Sequence, residues 1–169
     1  MIYDALARFA DKHDPGAMTQ NVAERFGDVI DRHGNMYAIY PNTTQNTDIG
    51  DGHIVYATFV FHGTWAGVTG SDITMDLEHA DNAPGAASTG VGGTNRGVVA
   101  RLTRPFTATQ TNVGFALPIP QGVNTRRYLG VSIVSDTGRS DGQNGTISAF
   151  ITDNPWNIRN IYVEGRNWV

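Results

Sequence analysis

From residue 36 onward the apolar residues of this chain recur at every second position, a period that belongs to strands rather than helices. Ile73, Met75 and Leu77 fall on one face, and Thr74, Asp76 and Glu78 on the other. Leu129, Val131 and Ile133 alternate with Gly130 and Ser132; Ile147, Ala149 and Ile151 alternate with Ser148, Phe150 and Thr152. Successive strand side chains point to opposite faces, so each run has one face for a core and one for solvent. The stretch HIVYATFVFHG, residues 53–63, is apolar on both faces and predicts a central strand covered on both sides. About eight strands are predicted, over residues 36–40, 53–62, 73–79, 98–105, 112–119, 127–134, 146–152 and 158–163. A helical turn or two is predicted only for residues 1–12 and 21–26.

Gly, Asn, Asp, Pro and Thr fill the gaps between the runs. Many short strands joined by such turns predict an all-β fold: a two-sheet sandwich, a jelly roll or a barrel. In GFALPIPQG, Phe115, Leu117 and Ile119 share a face, and Pro118 and Pro120 each lack an N–H donor. Two missing donors two residues apart predict an edge strand. Residues 83–97 have no apolar pattern and predict a long mobile loop. No linker or fixed-period repeat divides the chain, so residues 1–169 are read as one domain.

A chain of 169 residues without cysteine can fold on its hydrophobic core alone. The N-terminal stretch MIYDALARFADKHD mixes acids and bases and is not read as a secretory signal. No stretch approaches a membrane helix, so a soluble protein acting where it is made is expected. The formal net charge of −4 argues against nucleic acid as the main partner. Lys12 is the only lysine beside eleven arginines, a skew that suits protein interfaces.

No constellation of catalytic type stands out. Asp136-Thr137-Gly138 after an apolar run resembles an aspartic-protease loop, but the second apolar-glycine segment that such a site needs is missing, and a polar hairpin loop is expected. Gly90, Gly92, Gly93 and Gly97 lack the lysine and helix of a phosphate loop. Asp48, Asp51, Asp136 and Asp141 miss the spacing of a calcium loop and read as turn-capping residues. Among His13, His33, His53, His62 and His79 no pair has zinc-ligand spacing, although His62 and His79 have the chance to meet in space. No catalytic, metal or cofactor residue is assigned. Trp65, Trp156 and Trp168 lie in or beside loops, where tryptophans either cap a core or anchor a partner. Arg126 and Arg127 open the run YLGVSIV, one placed to hold a carboxylate within the fold and the other to reach a neighbour.

The series MIYDA, DIGDGHIVYATFVF, ITMDLEHADN, FALPIPQGVNTRRYLGVSIV and GTISAFITDNP resembles the capsid cement, or decoration, proteins of tailed bacteriophages of the Bordetella-phage type. The most specific piece is the Leu-Pro-x-Pro, short turn, Arg-Arg-Tyr-Leu run at residues 117–129. Residues 32–47, 83–97 and 155–169 depart from the family pattern. The resemblance implies a jelly-roll sandwich, not an enzyme and without cofactor. It would be made in the bacterial host cytoplasm and bound to the outer capsid surface of the virion, clamping neighbouring major capsid proteins. The contact elements expected on that basis are the N-terminal segment 1–14, the loop 83–97 and the C-terminal tail 155–169. The residues are Ile2, Tyr3, Arg8, Phe9, Trp65, Arg126, Arg127, Trp156, Arg166 and Trp168. Copies are expected to associate, as a dimer first and a trimer second. The alternative is a carbohydrate- or receptor-binding module of a phage tail or fibre, with Trp65 and Tyr56 as a sugar platform.

Overall fold

A computed structural model describes residues 8–31, 54–65, 71–82, 96–106, 111–120, 126–139, 145–153 and 155. They form eight strands: β1 (Arg8–His13), β2 (Glu24–Asp31), β3 (Tyr56–Thr64), β4 (Ser71–Ala80), β5 (Gly97–Phe106), β6 (Thr111–Pro118), β7 (Tyr128–Ser135) and β8 (Thr146–Thr152). They make two four-stranded antiparallel sheets, ordered β1-β8-β3-β6 and β2-β7-β4-β5. The protein is an all-β sandwich. Strand pairs β1·β8, β2·β7, β3·β6 and β4·β5 nest inside one another, as if one long hairpin had been wound up.

The period of two builds the core directly. Ala57, Phe59 and Phe61 from β3 and Val113, Phe115 and Leu117 from β6 face Ile73, Met75 and Leu77 from β4 and Leu129, Val131 and Ile133 from β7. All are at most 2% exposed. Each large side chain so buried stabilises the fold by about 1.5–3 kcal/mol. β3 lies inside its sheet, as its two-sided apolar pattern predicts, and Thr58 and Val60 on its other face are also fully buried. β6 is an edge strand, as Pro118 and Pro120 predict.

Two expectations are corrected. Residues 8–12 are strand rather than helix, and so are residues 24–26. Irregular pairing hides both strands in the sequence. In β1 the register against β8 shifts twice, Lys12 takes a φ of 48°, and Phe9 and Ala10 are buried in succession. In β2, the four steps from Phe26 to Ile30 span only the two steps of β7 from Val131 to Leu129. Such a bulge converts a spacing of two into a spacing of four, which imitates a helix face. The predicted strands 36–40 and 158–163 and most of the predicted loop 83–97 lie outside the described residues.

Gly27 makes the bulge possible. Its φ is +74°, and a Cβ there would collide with the backbone carbonyl of Phe9. Gly27→Ala therefore meets both left-handed strain and a clash with main chain that has no rotamer to escape into. We expect a loss of about 3 kcal/mol in chemical denaturation. A wild-type midpoint would show that β1 can move aside.

The winding also sorts the connections. Residues 14–23, 65–70, 107–110 and 136–145 join strands at one end of the sandwich. Residues 32–55, 81–96 and 119–127, together with the chain before Arg8 and after Thr152, all leave from the other.

Candidate interaction surface

The end with the short connections is sealed. Trp65 is fully buried, 4.9 Å from the Phe61 ring and 6.1 Å from Phe106, and its Nε1–H donates to the His62 carbonyl at 3.2 Å. The Arg139 guanidinium lies 4.5 Å from the indole centroid, and its side chain is only 1% exposed. Its Nη2 donates to the Gly145 carbonyl at 2.9 Å, and Nη1 sits 3.4 Å from Asp14. Met18 and Arg139 exchange both backbone hydrogen bonds at 2.9 Å. A desolvated cation over a tryptophan face is worth about 2 kcal/mol. Trp65 is thus a core cap, and it is not available as a partner anchor or a sugar platform. The Asp136-Thr137-Gly138 stretch is the turn leading into this cap, with Gly138 at a φ of 77°.

Among the described residues, the opposite end presents arginines and aliphatic side chains. Arg126 donates from Nη1 to Asp81 at 2.7 Å, and its backbone N–H donates to His79 Nδ1 at 3.2 Å. The imidazole fills the space where a Cβ on Gly97 would sit, 2.5 Å from His79 Nε2. Arg127 takes a different partner, stacking its guanidinium 4.8 Å from the Tyr128 ring centroid. Ile54, just ahead of β3, is 55% exposed, and Val98 near the start of β5 is 46% exposed. Pro118, the last residue of β6, and Pro120, in the β6–β7 connection, are exposed as well.

The outer face of the β2-β7-β4-β5 sheet carries two arginine–carboxylate clamps. Asp76 and Glu78 project from β4 with side chains 3% and 5% exposed. Arg101 on β5 holds Asp76 with two bonds of 2.7 Å, and Asp76 raises the guanidinium above its ordinary pKa. Arg25 on β2 holds Glu78 at 2.9 and 3.1 Å. These paired forks tie both edge strands to the sheet interior, because losing one partner would strand a buried charge.

One serine–histidine contact lies on the β1-β8-β3-β6 sheet. His62 Nε2 is 2.9 Å from Ser148 Oγ, which also accepts the Lys12 backbone N–H at 2.9 Å and donates to Asp11 at 3.4 Å. Ser148 is 1% exposed. The carboxylate meets the serine rather than the imidazole, the reverse of the order by which a catalytic triad orients its base. Burial, with help from Lys12, lowers the His62 pKa, and Asp11 opposes the shift. The unfolded chain therefore takes up this proton at a higher pH than the folded protein. The stability held by neutral His62 is complete above about pH 6.5 and is lost as the pH falls below it towards the folded pKa. His13, stacked on Phe26 and also held low by burial, acts with the same sign. Denaturation at about pH 7.5 and about pH 5.5 should show a fall that is smaller in His62→Gln. An equal fall in both would remove His62 as a contributor.

Of the contact residues read from the sequence, Ile2, Tyr3, Trp156, Arg166 and Trp168 lie outside the described residues. Phe9 is 1% exposed and belongs to the core. Arg8 pairs with Asp11 at 3.2 Å with its side chain 39% exposed. Arg126 and Arg127 sit together at the end with the long connections. His62 and His79 lie in different sheets at opposite ends and do not meet. Arg139, Arg25, Arg101 and Glu78 were missed. Only Asp76 and Glu78 left a signal, as the polar positions of an alternating run. Comparison with protein-family models, curated proteins and solved structures found no match to this chain.

Proposed function

We propose that this chain is a capsid decoration protein of a tailed bacteriophage, a jelly-roll clamp that adheres to the outer surface of the shell. The observation that carries the reading is the position of the family-like run at residues 117–129. It begins at the close of edge strand β6 and ends in β7, with Arg126, Arg127 and Tyr128 at the end from which the long connections and both flanking segments leave. The nested order of the strands suits a jelly roll. A clamp of this kind holds by several modest surface contacts at once, and one copy or oligomer touching several subunits gains durability from multivalency. Binding only the assembled lattice stabilises that lattice by mass action. The partners in this reading are the major capsid protein and further copies of this chain, as a dimer before a trimer. The protein works as an adhesive, without turnover or cofactor.

The alternative carbohydrate- or receptor-binding module relied on Trp65 beside Tyr56, and the burial of Trp65 takes away that platform. Co-sedimentation with emptied shells of the source phage tests the decoration reading. Saturable binding at a fixed number of copies per capsid subunit is expected, with density outside the shell in electron cryomicroscopy. Arg126→Glu with Arg127→Glu should weaken that binding while leaving the fold intact. No sedimentation with shells would overturn the reading.

A further inference from the structure

Each sheet has two edge strands, and an open edge is a template for another chain unless something blunts it. β1 and β2 carry the bulges described above, and β6 ends at Pro118 with Pro120 just beyond. β5 is the longest of the four edges, at 10 residues. Its one irregularity against β4 falls at Val99, where Ala100 faces Leu77 and Val98 faces Glu78. Its one proline is Pro105. Between these two features residues 100–104 run in unbroken register against residues 73–77 of β4. No strand lies on the other side of this window among the described residues. The bulge and the proline bracket a regular stretch whose outer backbone groups have no strand partner among the described residues.

Charge selects the occupant. From residue 96 to residue 106 the chain holds Arg96, Arg101 and Arg104 and no carboxylate. Arg101 is engaged by Asp76. The Arg96 and Arg104 side chains are exposed and make no hydrogen bond or ion pair among the described residues. Arg104 shares its side of the strand with Leu102 and Ala100, which pack half-buried against the core. A strand laid along the window would have one face beside Leu102 and Arg104 and the other beside Arg101 and Thr103. An alternating strand carries all its carboxylates on one face, and laid with that face beside Arg104 it pairs the arginine of the window that Asp76 does not engage. A second copy of β5 does not, because it would bring arginines of both chains along one seam with no carboxylate from either strand.

We propose that β5 is a docking edge, and that an extended acidic segment of a partner protein adds to it as a fifth strand over residues 100–104. Main-chain hydrogen bonds would supply affinity, and the arginines would supply selectivity.

Hydrogen exchange on the intact protein tests this with defined peptides. The probes are a blocked heptapeptide of alternating glutamate and valine, its lysine counterpart, and the glutamate peptide N-methylated on alternate amides. With the glutamate peptide, alternate amides within residues 100–104 should exchange about tenfold more slowly. The lysine and N-methylated peptides should leave them unchanged, and Arg104→Glu, at an exposed position, should weaken the glutamate peptide about tenfold. Three results would each overturn the proposal. Equal protection by both charges would remove the acidic specificity. Protection elsewhere, or none, would mean that the arginines merely guard the edge. Protection that grows with protein concentration alone would make the occupant a second copy. The peptide test needs no capsid, so its failure leaves the shell-binding reading standing.

Discussion

Replacing Trp65 by alanine is expected to destabilise the sandwich by about 4 kcal/mol, lowering the melting temperature by roughly 10 °C. Two costs combine. A large cavity opens between Phe61 and Phe106, and Arg139 loses the ring over which its buried guanidinium rests. Trp65→Phe keeps an aromatic face for Arg139 and loses the indole N–H to the His62 carbonyl, so about 1–1.5 kcal/mol is expected there. Urea denaturation of the two variants separates the cavity from the hydrogen bond. A residue that served only to grip a partner would leave the transition within about 0.5 kcal/mol of wild type, and that outcome would move Trp65 back to the surface.

Removing residues 1–12 is expected to abolish cooperative folding. The deletion takes nearly all of β1, draws Phe9 out of the core and uncovers the edge of β8 along Phe150, Ala149 and Ile147. It also takes the Lys12 backbone N–H from Ser148 and the backbone carbonyl of Phe9 from beneath Gly27. Of the segment 1–14 read from the sequence as a contact element, Arg8–His13 are therefore a strand of the sheet. A sharp, wild-type-like transition after removal of residues 1–12, followed by circular dichroism, would contradict the role given to β1.

β4, β7 and β8 were legible because each keeps its register long enough to show a period of two, as Ile73, Met75 and Leu77 do, and β3 because its run is apolar on both faces. The prolines of residues 118 and 120 marked β6 as an edge for a stated reason, the missing donors. β1 and β2 were not legible, because a bulge erases the very signal that identifies a strand. Phe26 and Ile30 face β7 residues two apart, yet stand four apart in the chain. The site was harder to read than the fold. Trp65 looked like a loop tryptophan, and only the return of Arg139 from the β7–β8 connection encloses it. Arg25 reaches Glu78 because β7 lies between β2 and β4, an order that no local pattern announces.

The antiparallel pairing of β1 with β8 has a mechanical consequence. Arg8 stands opposite Phe150, so the chain enters β1 and leaves β8 at neighbouring points. Tension applied through those two flanking segments would open the ladder like a zipper, rupturing one bond at a time at low force. Tension carried along β5 would instead load several bonds together in shear. An external load would then be resisted better through the flank of this protein than through its chain ends.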